Sequence, residues 1–231
     1  MCLFRSILGA KGRNALHLHF TMEDNPSLSP EIRQRYERLF TGHFSRRYVQ
    51  GQWCGGAGLV YEFDRERHIA RQLPQSGRYF ISVDYGTLNP FSAGLWCIAE
   101  GKAWRVREFY YNGREQGRLR TDEEYCQDIL RLAGGVYVEA VIVDPSASSF
   151  ITALRRRGLR VRRAKNAVNP GIGTVTRLLR EGRLVIGESC RDCIREFSQY
   201  CWEDTGDCPR KENDHAMDEV RYFCHTVMCR E

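Results

Sequence analysis

Residues 140–145 read Ala140-Val141-Ile142-Val143-Asp144-Pro145, and this stretch decides the fold class. A continuous apolar run ending in an acid and a proline reads as a strand buried on both faces, which requires helices above and below the sheet. A helix over 146–157 follows, then a short strand at 159–163, a helix at about 172–181, a strand at 183–187 and a helix at about 189–200. A polar, turn-rich stretch at 203–213 precedes a last helix that starts at Asp214. Upstream, 79–83 is a strand that ends at Asp84-Tyr85-Gly86, and 91–99 and 102–110 are two more, joined by a turn at Glu100-Gly101. Short turns between three strands make an antiparallel meander. Thr121 with Glu124 three residues on is a capping box that opens a helix of about ten residues. The expected fold is therefore α/β: a mixed sheet, antiparallel meander plus parallel strands, flanked by helices.

The segment ahead of this pattern has a different character. Ser29-Pro30-Glu31 is a helix start, and Ile32, Tyr36, Leu39 and Phe40 follow at the spacing of one apolar face, up to Gly42. A glycine-rich joint covers 51–58. The expected organisation is a linker or tail over 1–58 with one amphipathic helix, then a domain over 59–231.

The chain of 231 residues is 42% hydrophobic and 28% charged, which suits a packed globular protein and excludes a disordered one. No run approaches the length of a membrane span, and Arg5 interrupts the short apolar start, so neither a membrane protein nor an exported one is expected. The ten cysteines are then expected as thiols in a cytoplasm. Cys190 and Cys193 have knuckle spacing, with Cys201 and Cys208 beyond. The first two fall in an expected helix and no second tight pair follows, so they read as thiols and not as a zinc set.

The net charge of +6 is unevenly spread. Residues 145–183 carry ten cations against the single acid Glu181, a local net of +9. Arg155, Arg156, Arg157, Arg160, Arg162, Arg163 and Lys165 form its densest part. Such clustering marks a surface for a polyanion such as DNA, bound through its backbone without reading sequence.

Asp84 and Asp144 share a setting, each at the end of a hydrophobic strand. If those strands are parallel neighbours, the two carboxylates lie about one strand spacing, ~5 Å, apart. Two anions that close favour a cation between them, and hard oxygen ligands suit Mg2+ or Mn2+. A third acid lies in Asn213-Asp214-His215-Ala216-Met217-Asp218, where His215 and Asp218 share a helix face. Asp214 stands where an N-cap belongs and is the lesser candidate for a metal ligand. All three main acids are expected to be raised in pKa without metal.

These residues resemble the nuclease domain of the large terminase subunit of tailed phages, of the prophage type. The resemblance rests on Ile81-Ser82-Val83-Asp84-Tyr85-Gly86 with Asn89-Pro90, on Val141-Ile142-Val143-Asp144-Pro145-Ser146-Ala147, and on Lys211-Glu212-Asn213-Asp214-His215-Ala216-Met217-Asp218 with Arg221-Tyr222. His19-Phe20-Thr21, Asp24-Asn25-Pro26 and Tyr48-Val49-Gln50-Gly51-Gln52-Trp53 resemble the segment that leads into that domain. The resemblance implies an RNase-H-like fold over 59–231 and a two-metal-ion endodeoxyribonuclease that cuts concatemeric phage DNA during packaging in the bacterial host cytoplasm. Asp84, Asp144 and Asp218 would hold two Mg2+ or Mn2+ ions, with His215 as a further catalytic group. Double-stranded DNA, a separate motor ATPase, a small terminase subunit and a portal are the implied partners. No G-x-x-x-x-G-K-[ST] loop occurs in the chain, so the resemblance is to the nuclease without its ATPase motor. Two other readings are another RNase-H-like nuclease, of resolvase or transposase type, and a non-catalytic DNA-binding prophage remnant.

Overall fold

The computed structural model describes residues 22–39, 58–203 and 208–230. The glycine-rich joint over 51–57, the helix stop at Gly42 and the motifs at 19–21 and 48–53 lie outside the described residues. The described parts belong to two compact units, one drawn from Met1–Glu62 and Tyr200–Lys211, the other from Phe63–Gln199 and Glu212–Glu231.

In the first unit, helix α1 (Pro30–Leu39) starts as its sequence dictates, with the Ser29 hydroxyl accepting from the Ile32 amide at 3.4 Å. Ile32 and Tyr36 are exposed on it. Cys201-Trp202 turns back on Pro209-Arg210 as a hairpin, closed by the Glu203 amide donating to the Cys208 carbonyl at 2.9 Å.

The second unit holds β1 (Ile69–Ala70), β2 (Arg78–Asp84), β3 (Phe91–Ala99), β4 (Lys102–Tyr111), β5 (Val138–Val143), β6 (Val161–Arg163) and β7 (Leu184–Gly187). Its helices are α2 (Arg65–His68), α3 (Gly113–Gln116), α4 (Asp122–Ala133), α5 (Ser148–Arg156), α6 (Val168–Arg180), α7 (Arg191–Phe197) and α8 (His215–Val227). One seven-stranded sheet runs β1-β7-β4-β3-β2-β5-β6. β2, β3 and β4 form the antiparallel meander, and the pairs β2–β5, β5–β6, β4–β7 and β1–β7 are parallel. The meander turns at Glu100 and Gly101 with both φ positive, at 54° and 70°, the geometry that a two-residue hairpin requires. Thr121 and Glu124 form the capping box of α4.

Side-chain alternation along β2 sorts the two faces of the sheet. Ile81 and Val83 enter a core with Leu95 of β3, Val141 and Val143 of β5, Tyr125 and Ile129 of α4, and Phe150 and Leu154 of α5. Phe80 and Ser82 turn the other way, to α8. The Phe80 ring is 6.1 Å from Phe223, and Phe223 stacks on Trp96 of β3 at 4.3 Å. The Ser82 hydroxyl donates to the Glu219 carboxylate, which also accepts from Trp96 Nε1 at 2.8 Å and pairs with Arg105 at 2.8 Å. Glu219 and Arg105 are both buried, and Gly94 makes the room for them: a Cβ there would stand 2.5 Å from Arg105 Nε and 2.7 Å from Glu219 Oε1. Glu219 therefore ties α8 to three strands, through Ser82 of β2, Trp96 of β3 and Arg105 of β4. Asp84 ends the set of β2 residues that face α8.

Candidate active site

The β2–β5 register pairs Ser82 with Ile142 and Val83 with Val143. Asp84 and Asp144 are the next residues on each chain, so both acids stand at the carboxyl ends of adjacent parallel strands, where α/β sheets collect their sites. Helix α8 begins over this end of the sheet and brings Asp214, His215 and Asp218 to it. His215 Nδ1 lies 3.0 Å from Asp84 Oδ2, and its Nε2 is 3.8 Å from Asp214 Oδ1, so the imidazole sits between two acids.

A second chain of contacts joins Asp144 to Asp218. Asp144 Oδ1 accepts from the Ser146 amide at 2.8 Å and Oδ2 from Asn166 Nδ2 at 3.2 Å. The Asn166 carbonyl accepts from Arg221 Nη1 at 2.6 Å, and Arg221 Nη2 donates to Asp218 Oδ1 at 2.7 Å. Arg221 is buried. The 165–166 loop is fixed on α8 a second time by the Lys165 amide donating to Thr226 Oγ1 at 2.9 Å.

Electrostatics divide the acids. Burial pushes the Asp84 carboxyl up to about 6; the His215 hydrogen bond opposes this and the Asp218 and Asp214 charges reinforce it. Burial also acts on Asp144, but the hydrogen bonds from Ser146, Asn166 and Tyr222 outweigh it and hold that carboxyl below its ordinary value. The expectation of a raised Asp144 therefore fails: donors already satisfy it. Burial alone would depress His215, yet the Asp84 hydrogen bond and the charges of Asp84, Asp214 and Glu196 leave it raised. Tyr222, one turn beyond Asp218, is driven far above a free phenol by burial and then by the charges of Asp84, Asp218 and Asp144.

The capping role expected of Asp214 is also corrected. Asp214 occupies the N-cap position, but its side chain makes no capping hydrogen bond, and it is buried. Asn166, Arg221 and Tyr222 were not singled out as site residues by sequence. Arg221 and Tyr222 had a usable signal, falling three and four residues after Asp218 on the same helix face. Asn166 had none.

The chemistry of the donor set fits a hard divalent cation: carboxylate oxygens, one histidine and a buried acid whose pKa burial raises. Among the described residues no three His, Cys, Asp or Glu side chains form a group that could hold an ion as they stand, for zinc or for any other metal. Arg221, Asn166 and Ser146 engage the acids instead.

The arginine run divides. Arg155 and Arg156 are exposed in the last turn of α5, and Arg157 pairs with Glu123. Arg160 is exposed just before β6, Arg162 is half-buried on that edge strand, and Arg163 and Lys165 are exposed. Lys165 immediately precedes Asn166, the residue that donates to Asp144. Among the described residues no helix is long and apolar enough to cross a membrane.

Over 92% of its length the chain matches the large terminase of a thermophilic bacteriophage, with 39% identity and a TM-score of 0.80. Its homologues are phage large terminases. The large terminase subunit of Escherichia phage T5 is 19% identical over 93% of the chain. The chain spans about half the length of these terminases, 56% of the thermophilic phage protein and 52% of the T5 protein. The large terminase nuclease from thermophilic phage G20c, solved with bound cobalt, matches in fold alone, at 12% identity and a TM-score of 0.55 over 74% of this chain and 98% of that one. The mixed seven-stranded sheet with flanking helices is the RNase-H-like α/β fold of the terminase nuclease. No protein-family model matches the chain.

Proposed function

We propose that this chain is a metal-dependent DNA endonuclease of the terminase type, which cuts concatemeric phage DNA in the host cytoplasm during packaging. The observation that carries the reading is the pairing of Asp84 and Asp144 at the ends of adjacent parallel strands, with His215 and Asp218 laid over them by α8. Asp84, Asp144 and Asp218 would hold the metal, as two Mg2+ or Mn2+ ions; cobalt in the G20c nuclease supports a divalent ion in a site on this fold. Bound divalent ions supply an activated water and stabilise the leaving oxygen of the phosphodiester. His215, engaged at Nδ1 by Asp84, offers Nε2 for proton transfer. Arg155, Arg156, Arg160, Arg162, Arg163 and Lys165 bind and orient the phosphate backbone of double-stranded DNA. Arg157, tied to Glu123, contributes less. A motor ATPase, a small terminase subunit and a portal are the partners that packaging requires.

The test is cleavage of supercoiled plasmid by the purified chain with Mg2+ or Mn2+, stopped by EDTA. Nicking that needs the metal and disappears in Asp84→Asn supports the reading. Binding of DNA without metal-dependent nicking would leave a non-catalytic DNA-binding protein.

A further inference from the structure

Helix α8 must present its first turn to the acids, yet the residue placed to cap it does not do so. The cap comes from another helix. Glu196 of α7 is fully buried; its Oε2 accepts from the Ala216 amide at 2.6 Å, and its Oε1 accepts from the Tyr110 hydroxyl at 2.7 Å. Ala216 is the second residue of α8, so this amide is one of the donors that a helix leaves unpaired at its start. A carboxylate is costly to bury without partners, and here the α8 amide and Tyr110 donate to it while Arg195 Nη2 lies 3.7 Å from Oε1. Asp214 Oδ1 meanwhile lies 3.8 Å from His215 Nε2, across the imidazole from Asp84.

An aspartate at an N-cap position ordinarily bonds the amides of its own helix. One carboxylate cannot both cap α8 and face the acids. We propose that Glu196 is a positioning residue: by capping α8 from outside the helix it keeps Asp214 turned into the acid cluster, where Asp214 is a fourth carboxylate toward the divalent cation. The proposal rests on the nuclease reading. Without Glu196, Asp214 swings back to cap its own helix and is lost to the cluster.

The experiment compares the full chain with Glu196→Ala, Asp214→Ala, the double variant and Glu196→Gln. Mn2+ affinity is read by calorimetry and the metal-free melting temperature is read in EDTA. Glu196→Ala is expected to weaken Mn2+ about tenfold. It should also lower the metal-free melting temperature by about 2–4 °C. Asp214→Ala weakens Mn2+ to a similar degree and leaves the metal-free melting temperature unchanged or higher. In the double variant the Mn2+ losses do not multiply, while melting falls by more than the two single changes together, because no carboxylate remains to cap α8. Glu196→Gln keeps an acceptor for the Ala216 amide and stays within about twofold of wild type in Mn2+ affinity.

Multiplying Mn2+ losses in the double variant would overturn the proposal. So would an Asp214→Ala chain that melts lower by the full capping amount and binds Mn2+ as wild type does. If Glu196→Ala does not fold, Asp214→Ala and Glu196→Gln decide by the same criteria. A wild-type chain that binds no Mn2+ removes the nuclease reading and the metal role of Asp214 with it, while the melting temperatures still decide which residue caps α8.

Discussion

His215 Nδ1 lies 3.0 Å from Asp84 Oδ2, a contact between residues 131 apart in the chain. It joins the end of a central strand to the start of the last helix. It also couples the proton of one group to the charge of the other, so neither titrates alone.

Metal-free stability should depend on this pair. The Asp84 carboxyl rises from the ordinary 3.8 to about 6 in the fold. A raised acid favours the folded state while it is protonated, so its contribution is fully present below pH 3.8 and is lost as pH climbs through about 6. The loss is on the order of 3 kcal/mol. His215, also raised, acts in the same direction as it deprotonates above its ordinary range. Asp84→Asn should therefore make the metal-free chain more stable at pH 8 by about 1–2 kcal/mol and flatten this pH profile. Urea unfolding in EDTA at pH 5 and pH 8 measures both. Equal losses in wild type and variant between the two pH values would sink the idea.

Asp144→Asn should behave differently. Its carboxylate accepts from Ser146 and Asn166 and lies below its ordinary pKa. A depressed acid stabilises above its unfolded value and loses that contribution as pH falls. The Asn side chain also places an NH2 against existing donors. The expected outcome is a loss of about 1–2 kcal/mol at pH 7 in EDTA, opposite in sign to Asp84→Asn. Cleavage should fail in both variants, since the ligand set acts as a unit.

Arg221→Lys keeps the charge but not the fork that reaches the Asn166 carbonyl and Asp218 together. Cleavage should fall about 10–100-fold, and the folded state should lose roughly 1–3 kcal/mol. A lysine variant with wild-type activity would show that Arg221 serves only charge balance.

DNA binding should distinguish the arginines. Asp and Glu partners reduce what a cation can offer to phosphate, so Arg157, paired with Glu123, should matter less than its exposed neighbours. Replacing Arg155 and Arg156 with Ala should flatten the plot of log affinity against log salt by up to about two units, roughly one for each lost phosphate contact. Arg157→Ala should move it by less than about half a unit. Equal slopes in all variants would mean that the run does not touch DNA.

Much of this architecture was legible in the sequence because the signals were local. The capping box of α4, the Glu100-Gly101 turn and the apolar run of β5 each lie within a few residues. The parallel pairing of β2 with β5 stood in the sequence only as a condition for bringing Asp84 and Asp144 together, and the register meets it. Two-residue β1 and four-residue α2 and α3 are too short for a period to show, and went unseen. At the site, the acids were visible as residue types at strand ends, whereas their electrostatics were not. The donors that lower Asp144 come from the 146 and 166 loops and from Tyr222 of α8, and the α8 cap comes from Glu196, twenty residues away on a separate helix. Local spacing assigned that cap to Asp214, because a sequence motif cannot reveal a competing acceptor brought in by tertiary packing.

The span between Asp84 and His215 has a consequence for synthesis. A nascent chain acquires β2 and β5 first, and with them only two of the acids. His215 and Asp218 emerge more than a hundred residues after Asp84, on the helix whose Glu219 pairs with Arg105 in the niche that Gly94 leaves open. On the nuclease reading, a fragment that ends before α8 carries Asp84 and Asp144 but lacks His215 and Asp218, so its site is incomplete.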